Sequence, residues 1–512
     1  MPKRIRCYNQ YPGLYTDIQS MREDLSRIRT LGFDQVWINP IFTPCQTNPI
    51  PNMSDRIHSP YAMQNETISS RYAATDEAIR EYTKTARELG LMPLFDLVAK
   101  HVAIDHRFLT GDTELMEKHQ IDTRKWFKRH ANGHLMLHNM DENYHPLTDN
   151  PWADVASFNY DDPEIMEEII TYFWEPFLKH NIVDLGFRGI RIDAPALMPP
   201  HVIPRLIKIA KQYCHECQEN DPIIIAETVG RGSMDSFLAL KDCVTNTMNS
   251  SFWMPGPDDG ADYNLWRQDS NWFTENKGLL QRTGPTLGFP GSHDTVRAIQ
   301  QFQDKGVTDP LTLEKRMLEK MAVAAFSSDG GWILQYGDEF GASKAVDVFD
   351  TTPIEYHQNS ELQLFDCSDF VSQINKTIQQ LPEVTFPEWS QRVFMESSPD
   401  LVVFLVHQGK GFSGNSFVII ANINAENHIS LSEENIREIM LVNGRNAAPE
   451  LRDQLPKTLY LCGSIEPTQC LVRCLGERAI YSSKKTSAFN RTLFQSQSHT
   501  TDQQQTIDKP RP

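Results

Sequence analysis

Three acidic residues each close a short apolar run. Asp193 ends Gly189-Ile-Arg-Ile-Asp193, Glu227 ends Pro222-Ile-Ile-Ile-Ala-Glu227, and Asp294 ends Leu287-Gly-Phe-Pro-Gly-Ser-His-Asp294. Carboxyl groups on neighbouring rigid strands suit cleavage of a glycosidic bond with retention. One attacks the anomeric carbon, and the other, about 5 Å away, protonates the leaving oxygen and later activates water. The nucleophile must stay ionised, which a nearby cation favours, and the acid needs a raised pKa. Arg191 lies two residues before Asp193, so on a strand both side chains share a face. Glu227 ends an almost wholly apolar strand, and such surroundings lift a carboxyl pKa. His293 beside Asp294 forms a pair able to grip sugar hydroxyls.

The elements that must position these groups are strands alternating with helices through roughly the first 380 residues, the pattern of repeated βα units. Ile18, Met21, Leu25 and Ile28 recur at helical spacing, with Gly32 as a stop, before the strand Gln35-Val-Trp-Ile-Asn-Pro-Ile41. Ile79, Tyr82, Ala86 and Leu89 mark a second helix, stopped at Gly90 and followed by Leu91-Met-Pro-Leu-Phe-Asp-Leu97. Asp162-Pro163 supplies a cap and a first-turn proline for a helix with the stripe Ile165, Ile169, Phe173 and Phe177. Trp332-Ile-Leu-Gln-Tyr-Gly-Asp-Glu339 closes the series. One strand-end Asp is as readily a helix cap as a site residue; four strand ends carrying carboxylates point to the face where barrel strands converge.

The expected fold is therefore α/β: a (β/α)8 TIM barrel over residues 1–390, with an inserted lobe at 101–153 after the third strand. Leu401-Val-Val-Phe-Leu-Val406, a Gly-Lys-Gly turn near Gly409 and Phe417-Val-Ile-Ile-Ala-Asn-Ile423 predict a hairpin in a C-terminal antiparallel β domain at 391–481. Residues 482–512, rich in Ser, Thr, Gln and Lys, read as a disordered tail.

The 512 residues suffice for one barrel and a smaller domain. A net charge of −18 argues against nucleic acid or an anionic membrane as partner, and a neutral sugar is indifferent to it. No apolar run approaches the length of a membrane span. The basic N-terminus lacks the apolar stretch of a secretory signal, and nine cysteines, an odd number, suit reduced thiols; both point to a cytoplasmic location. Export through a signal in the C-terminal tail is the alternative.

At the same residues the chain resembles the α-amylase superfamily, glycoside hydrolase family 13. Asp96-Leu-Val-Ala-Lys-His101, Gly189-Ile-Arg-Ile-Asp-Ala194, Ile224-Ile-Ala-Glu-Thr228 and Ser292-His-Asp-Thr295 are similar to its four conserved regions, in order. Val155-Ala-Ser-Phe-Asn-Tyr160, Tyr336-Gly-Asp-Glu-Phe-Gly341 and Ser59-Pro-Tyr61 are similar to three further segments. The resemblance implies Asp193 as nucleophile, Glu227 as acid/base and Asp294 as stabiliser of the distorted sugar ring. It further implies His101 and His293 as hydroxyl ligands, Arg191 as orienter of Asp193, Tyr61 as stacking platform and Asp96 as structural support. The substrate would be an α-glucan such as glycogen or starch, or a maltooligosaccharide, and no cofactor is required.

Two departures qualify that picture. The family usually has a calcium-binding Asn before the first-region histidine, where this chain has Lys100, which places calcium in doubt. Ala196-Leu197 replace a common Lys-His on the aglycone side. Ala226-Glu-Thr-Val-Gly230, Asn249-Ser-Ser-Phe-Trp253 and Gly288-Phe-Pro-Gly-Ser-His-Asp294 are similar to a bacterial branch related to maltosyltransferases using maltose 1-phosphate. Transglycosylation is thus the alternative to hydrolysis, and a non-catalytic glucan-binding barrel is the third reading. His130, His134 and His138 flank the turn signal Asn132-Gly133 and read as a loop rather than a metal site. Cys214-His-Glu-Cys217 lies inside a helical pattern, and the Asn65, Asn375 and Asn490 sequons read as chance.

Overall fold

The computed structural model describes residues 4–72, 75–148, 151–227, 240, 242–248, 286–327, 330–350 and 352–380, and beyond these the backbone of strands between 390 and 482. Eight parallel strands form one sheet: β1 (Ile5–Gln10), β2 (Gln35–Ile38), β3 (Met92–Leu97), β4 (Gly189–Ile192), β5 (Ile223–Ala226), β6 (Asn246–Met248), β7 (Thr286–Leu287) and β8 (Gly331–Gln335). Neighbours in sequence are neighbours in the sheet, and β8 pairs with β1 through Ile5 and Gly331. A parallel bridge between Gly288 and Trp332 joins the remaining edges. The sheet thus curls closed in the manner of a (β/α)8 barrel.

Alternation along each strand divides the core in two. Ile5, Cys7, Trp37, Leu94, Ile225, Met248, Leu287 and Ile333 face inward and pack together inside the barrel. Val36, Phe95, Leu97, Ile190, Ile192, Ile224 and Leu334 point outward into the larger cluster shared with the helices. The interior has no room at Gly189, where a Cβ would stand 2.7 Å from the Ile223 carbonyl oxygen and 2.8 Å from Leu94. Gly331, at φ +108°, is held against the backbone of Ile5 in a conformation that L side chains avoid.

The outer layer follows the expected helices. α1 (Ile18–Thr30) buries Ile18, Met21, Leu25 and Ile28, and Asp17 and Ser20 form its capping box. α2 (Asp76–Glu88) is capped by Thr75 and buries Ile79, Tyr82 and Ala86. The helix of residues 163–184, α3, starts at the Asp162 cap and Pro163 as expected, but two segments, Ile170–Trp174 and His180–Asp184, are wound as π-helix. The cause is legible in the stripe. Its uniform spacing of four residues would drift by about 40° per step on an α-helix, and wider π turns keep Ile169, Phe173 and Phe177 on the buried side. α4 (Val202–Glu216) contains buried Cys214, and Cys214 and Cys217 form no disulfide with each other. α5 (Ala298–Asp304) and α6 (Pro310–Ser327) precede β8, and α7 (Ser368–Gln380) follows it. Asn375 of α7 is wholly buried, bonded to the Trp332 indole and the Leu31 carbonyl, so its sequon faces the core.

After β3 the chain leaves the barrel. His101–Ala103 pairs antiparallel with Val155–Ser157. A hairpin of Phe42–Pro44 and Met63–Ile68, unforeseen in the sequence, lies on the same side: Cys45, Ile50 and Ala62 share a small core with Ala103, Ile104, Leu137, Met140 and Val155. His130 and Gly133 close a turn, as Asn132-Gly133 signalled. Farther along, five antiparallel strands run in the order Ser390–Ser397, Leu401–Gln408, Phe417–Asn422, Cys470–Cys474, Ala479–Ser482, and the expected hairpin pairs Leu401 with Asn422. Readings on residues 228–230, 249–253, 409–411 and 483–512 lie outside the described residues. Among those described, no helix is long and apolar enough to cross a membrane.

Candidate active site

On β2 to β5 the inward-facing positions at the C-terminal strand ends are polar. Asn39, Asp96, Arg191, Asp193 and Glu227 continue the inward alternation of β2, β3, β4 and β5. The ladder itself runs on through Asp193 N–H to the Leu97 carbonyl and Glu227 N–H to the Ile192 carbonyl, both 3.0 Å. Arg191, wholly buried, is the centre of the cluster. Its Nη1 donates to Asp193 Oδ1 at 2.8 Å and to both Asp96 oxygens at 3.0 and 3.1 Å. Its Nη2 lies 2.9 Å from Glu227 Oε1, an ionic contact without hydrogen-bond alignment. The guanidinium also lies over the Trp37 ring, 5.0 Å from its centre.

One cation among three buried carboxylates leaves a surplus of negative charge, and protons are held accordingly. Burial raises Glu227 well above the usual carboxylate range, against the pull of Arg191 and helped by Asp193 and Asp294. Burial likewise raises Asp96 to about 6 and raises Asp193, each opposed by Arg191. At Asp193 the guanidinium works against the rise that burial causes, favouring the ionised form as a cation beside it would. Asp294 differs. Its side chain is 37% accessible and contacts His293 Nε2 at 2.9 Å, and His293 followed by Arg191 outweighs burial to bring it below the ordinary range. Environments that separate otherwise similar carboxyls assign them different chemical tasks.

Glu227 is aimed by its neighbour. Its Oε2 accepts the Ala194 backbone N–H at 2.6 Å, and Ala194 is left-handed at φ 40°, ψ 44°. His293 is held from several sides. Tyr61 stacks on it (5.3 Å between centres, 6° between planes) and places its hydroxyl 2.7 Å from Nε2, while Asn39 Nδ2 lies 3.3 Å from Nδ1. The Tyr61 hydroxyl also reaches Asp96 at 3.1 Å and accepts from Asn39 at 2.7 Å. His101 sits farther along, its Nε2 3.1 Å from the Tyr61 carbonyl; burial drives it down to about 3, so the ring is neutral. Tyr61, Asp96, His101, Arg191, Asp193, Glu227, His293 and Asp294 thus lie in one connected group.

Sequence reading missed Asn39, Tyr11, Trp37 and Trp152. Asn39 carried a usable signal, since it follows directly on β2 as Asp193 follows directly on β4. Tyr11 and Trp37 pack on His293 at 5.9 and 5.8 Å, and Trp152 packs on His101 at 5.8 Å, contacts that only tertiary structure creates. A calcium ion, implied by the resemblance near position 100, does not fit: the Lys100 ammonium is buried there with no hydrogen-bond partner among the described residues.

The family model for the alpha-amylase catalytic domain matches residues 8–376, and the chain belongs to that family. It is 22% identical over 360 residues to an alpha-1,4-glucan:maltose-1-phosphate maltosyltransferase of Burkholderia pseudomallei (strain K96243), a match covering 70% of this chain and 27% of that protein. The chain therefore spans only about a quarter of that relative's length. Among solved structures, an alpha-amylase from Lactobacillus plantarum is 18% identical, with a TM-score of 0.58 over 84% of this chain and 91% of the other. Trehalose-6-phosphate hydrolase of Bacillus licheniformis is 15% identical, with a TM-score of 0.61 over 92% and 98%. At these identities the structural likeness speaks for the fold alone.

Proposed function

We propose that this protein cleaves α-1,4-glucosidic bonds of glycogen- or starch-like glucans by double displacement with retention. The observation that carries the reading is the Arg191 cluster, in which a single cation touches both Asp193 and Glu227 on adjacent strand ends while burial keeps the proton on Glu227. Asp193 attacks the anomeric carbon, and Glu227 protonates the departing oxygen and then activates water. Asp294, ionised and open to the cleft, stabilises the oxocarbenium-like ring. His101 and His293 bind hydroxyls, Tyr61 offers its ring to the sugar, and Asp96 supports Arg191 from below. In this reading residues 101–153 form a lobe that shapes the glucan cleft, and residues 391–481 form a separate C-terminal domain. The test is release of reducing ends from glycogen and maltoheptaose. The unaltered protein releases them and Asp193→Asn is slower by about four orders of magnitude; full activity of Asp193→Asn would contradict the proposal.

A second reading, glycosyl transfer, is favoured by the maltosyltransferase relative and by Leu197, which is 47% exposed beyond Asp193 where the family often has a polar pair. The carboxylates are shared, and the readings differ in whether water or a sugar hydroxyl takes the enzyme-bound glycosyl group. Incubation with maltose 1-phosphate and maltooligosaccharide separates them. Chain growth with phosphate release establishes transfer, and its absence removes that donor.

A further inference from the structure

The misfit at Lys100 carries a consequence of its own. Lys100 is 8% exposed, and its buried Nζ lies 4.6 Å over the centre of the Trp152 ring. Its carbonyl accepts the Phe158 N–H at 3.0 Å, so the backbone is pinned at the neck of the excursion while the side chain reaches Trp152 near the excursion's far end. Asp193 attracts the ammonium and Lys128 repels it. Among the described residues the His101 and His138 rings are also near, set against Trp152 at 5.8 and 4.3 Å. Burial, with Lys100 adding to it, keeps both histidines neutral, at about 3 and about 4. A buried charge with no hydrogen-bonded counter-ion costs stability, and burial pulls this amine down to about 8. A side chain kept at such cost is expected to serve the site rather than the fold.

We infer that Lys100 is a built-in cation, a positioning residue that keeps calcium from this position and supplies positive charge favouring the Asp193 carboxylate. A divalent ion cannot enter beside an ammonium already buried between Trp152 and the barrel face. The ring accepts the charge through its π face without neutralising it, which leaves its field to act on Asp193. The part concerning Asp193 rests on the nucleophile reading given above; the part concerning calcium does not.

Two measurements on the full chain test the inference. The first is the thermal midpoint of the unaltered protein in chelator and in millimolar calcium, with equilibrium dialysis against radioactive calcium. The midpoint is expected to move by no more than about 1 °C, with no ion retained. A calcium-raised midpoint with one ion retained would overturn the metal half whether or not the protein cleaves glucan. The second is the pH profile of kcat/KM for Lys100→Met. Losing the positive charge moves the acidic limb upward by about half to one pH unit, with kcat falling more than KM rises. Lys100→Arg, which keeps the charge, leaves the limb near its original position. An unmoved limb in Lys100→Met would overturn the electrostatic half. Should that variant not fold, Lys100→Gln makes the same comparison.

Discussion

The Ala194 N–H donates to Glu227 Oε2 at 2.6 Å, and Ala194 directly follows Asp193, so one short turn of backbone fixes the position of one carboxyl relative to the other. Alanine adopts this left-handed conformation (φ 40°) at a cost of about 1–2 kcal/mol. Gly tolerates it freely and a β-branched residue does not. Ala194→Gly should retain the fold and most of kcat, whereas Ala194→Val should lose about 1–3 kcal/mol of stability and a larger share of kcat than of substrate binding. Urea melts and steady-state kinetics of the two variants decide this, and equal behaviour would remove Ala194 as the aiming element.

Glu227 has a raised pKa, which fixes a sign for stability. Above about pH 4.5 the unfolded chain releases a proton that the folded chain retains, so this group's contribution declines as pH rises toward its folded value. Asp96, at about 6, acts in the same direction between about pH 4 and 6. Glu227→Gln should therefore melt higher than the unaltered protein at pH 8, by roughly a few degrees, with the gap closing toward pH 4. The same variant should lose about 10²- to 10⁴-fold in kcat and the alkaline limb of its pH profile. A gap that widens toward acid would contradict the assignment.

Arg191 binds Asp193, Asp96 and Glu227 at once. Replacing it with Met leaves buried carboxylates without their cation, and a loss of about 3–5 kcal/mol in urea unfolding is expected. Arg191→Lys keeps a charge but cannot fork between partners, and it should fall between the two.

Asn39 links two parts of the site, donating to the Tyr61 hydroxyl and receiving the Asn9 amide at 2.7 Å. Asn39→Ala should cost about 1–3 kcal/mol through the partners left unpaired. Tyr61 and His293 would lose a common anchor, so KM for maltooligosaccharides should rise more than kcat falls. Unchanged KM would show that the Tyr61–His293 stack holds itself in place.

These sites were legible in the sequence to different depths. Asp193, Glu227 and Arg191 were readable because strand periodicity fixes which side chains share a face and an apolar run marks burial. The helix of 163–184 was also legible, although its four-residue stripe encoded π turns rather than an unbroken α-helix. The protonation order was only partly accessible. It depends on how many carboxylates share one guanidinium, and Asp96 joins Arg191 through the pairing of β3 with β4 rather than through sequence spacing. Trp152 was invisible for a related reason: it is 52 residues from Lys100 in sequence yet lies against its ammonium in space.

In the proposed reaction Asp193 forms a glycosyl-enzyme bond, which water then breaks by attack from the opposite face, the one the leaving sugar vacated. Proton NMR of maltoheptaose digestion, read before mutarotation, tests it most directly. The account predicts that newly released reducing ends appear first as the α-anomer. First appearance of the β-anomer would contradict it.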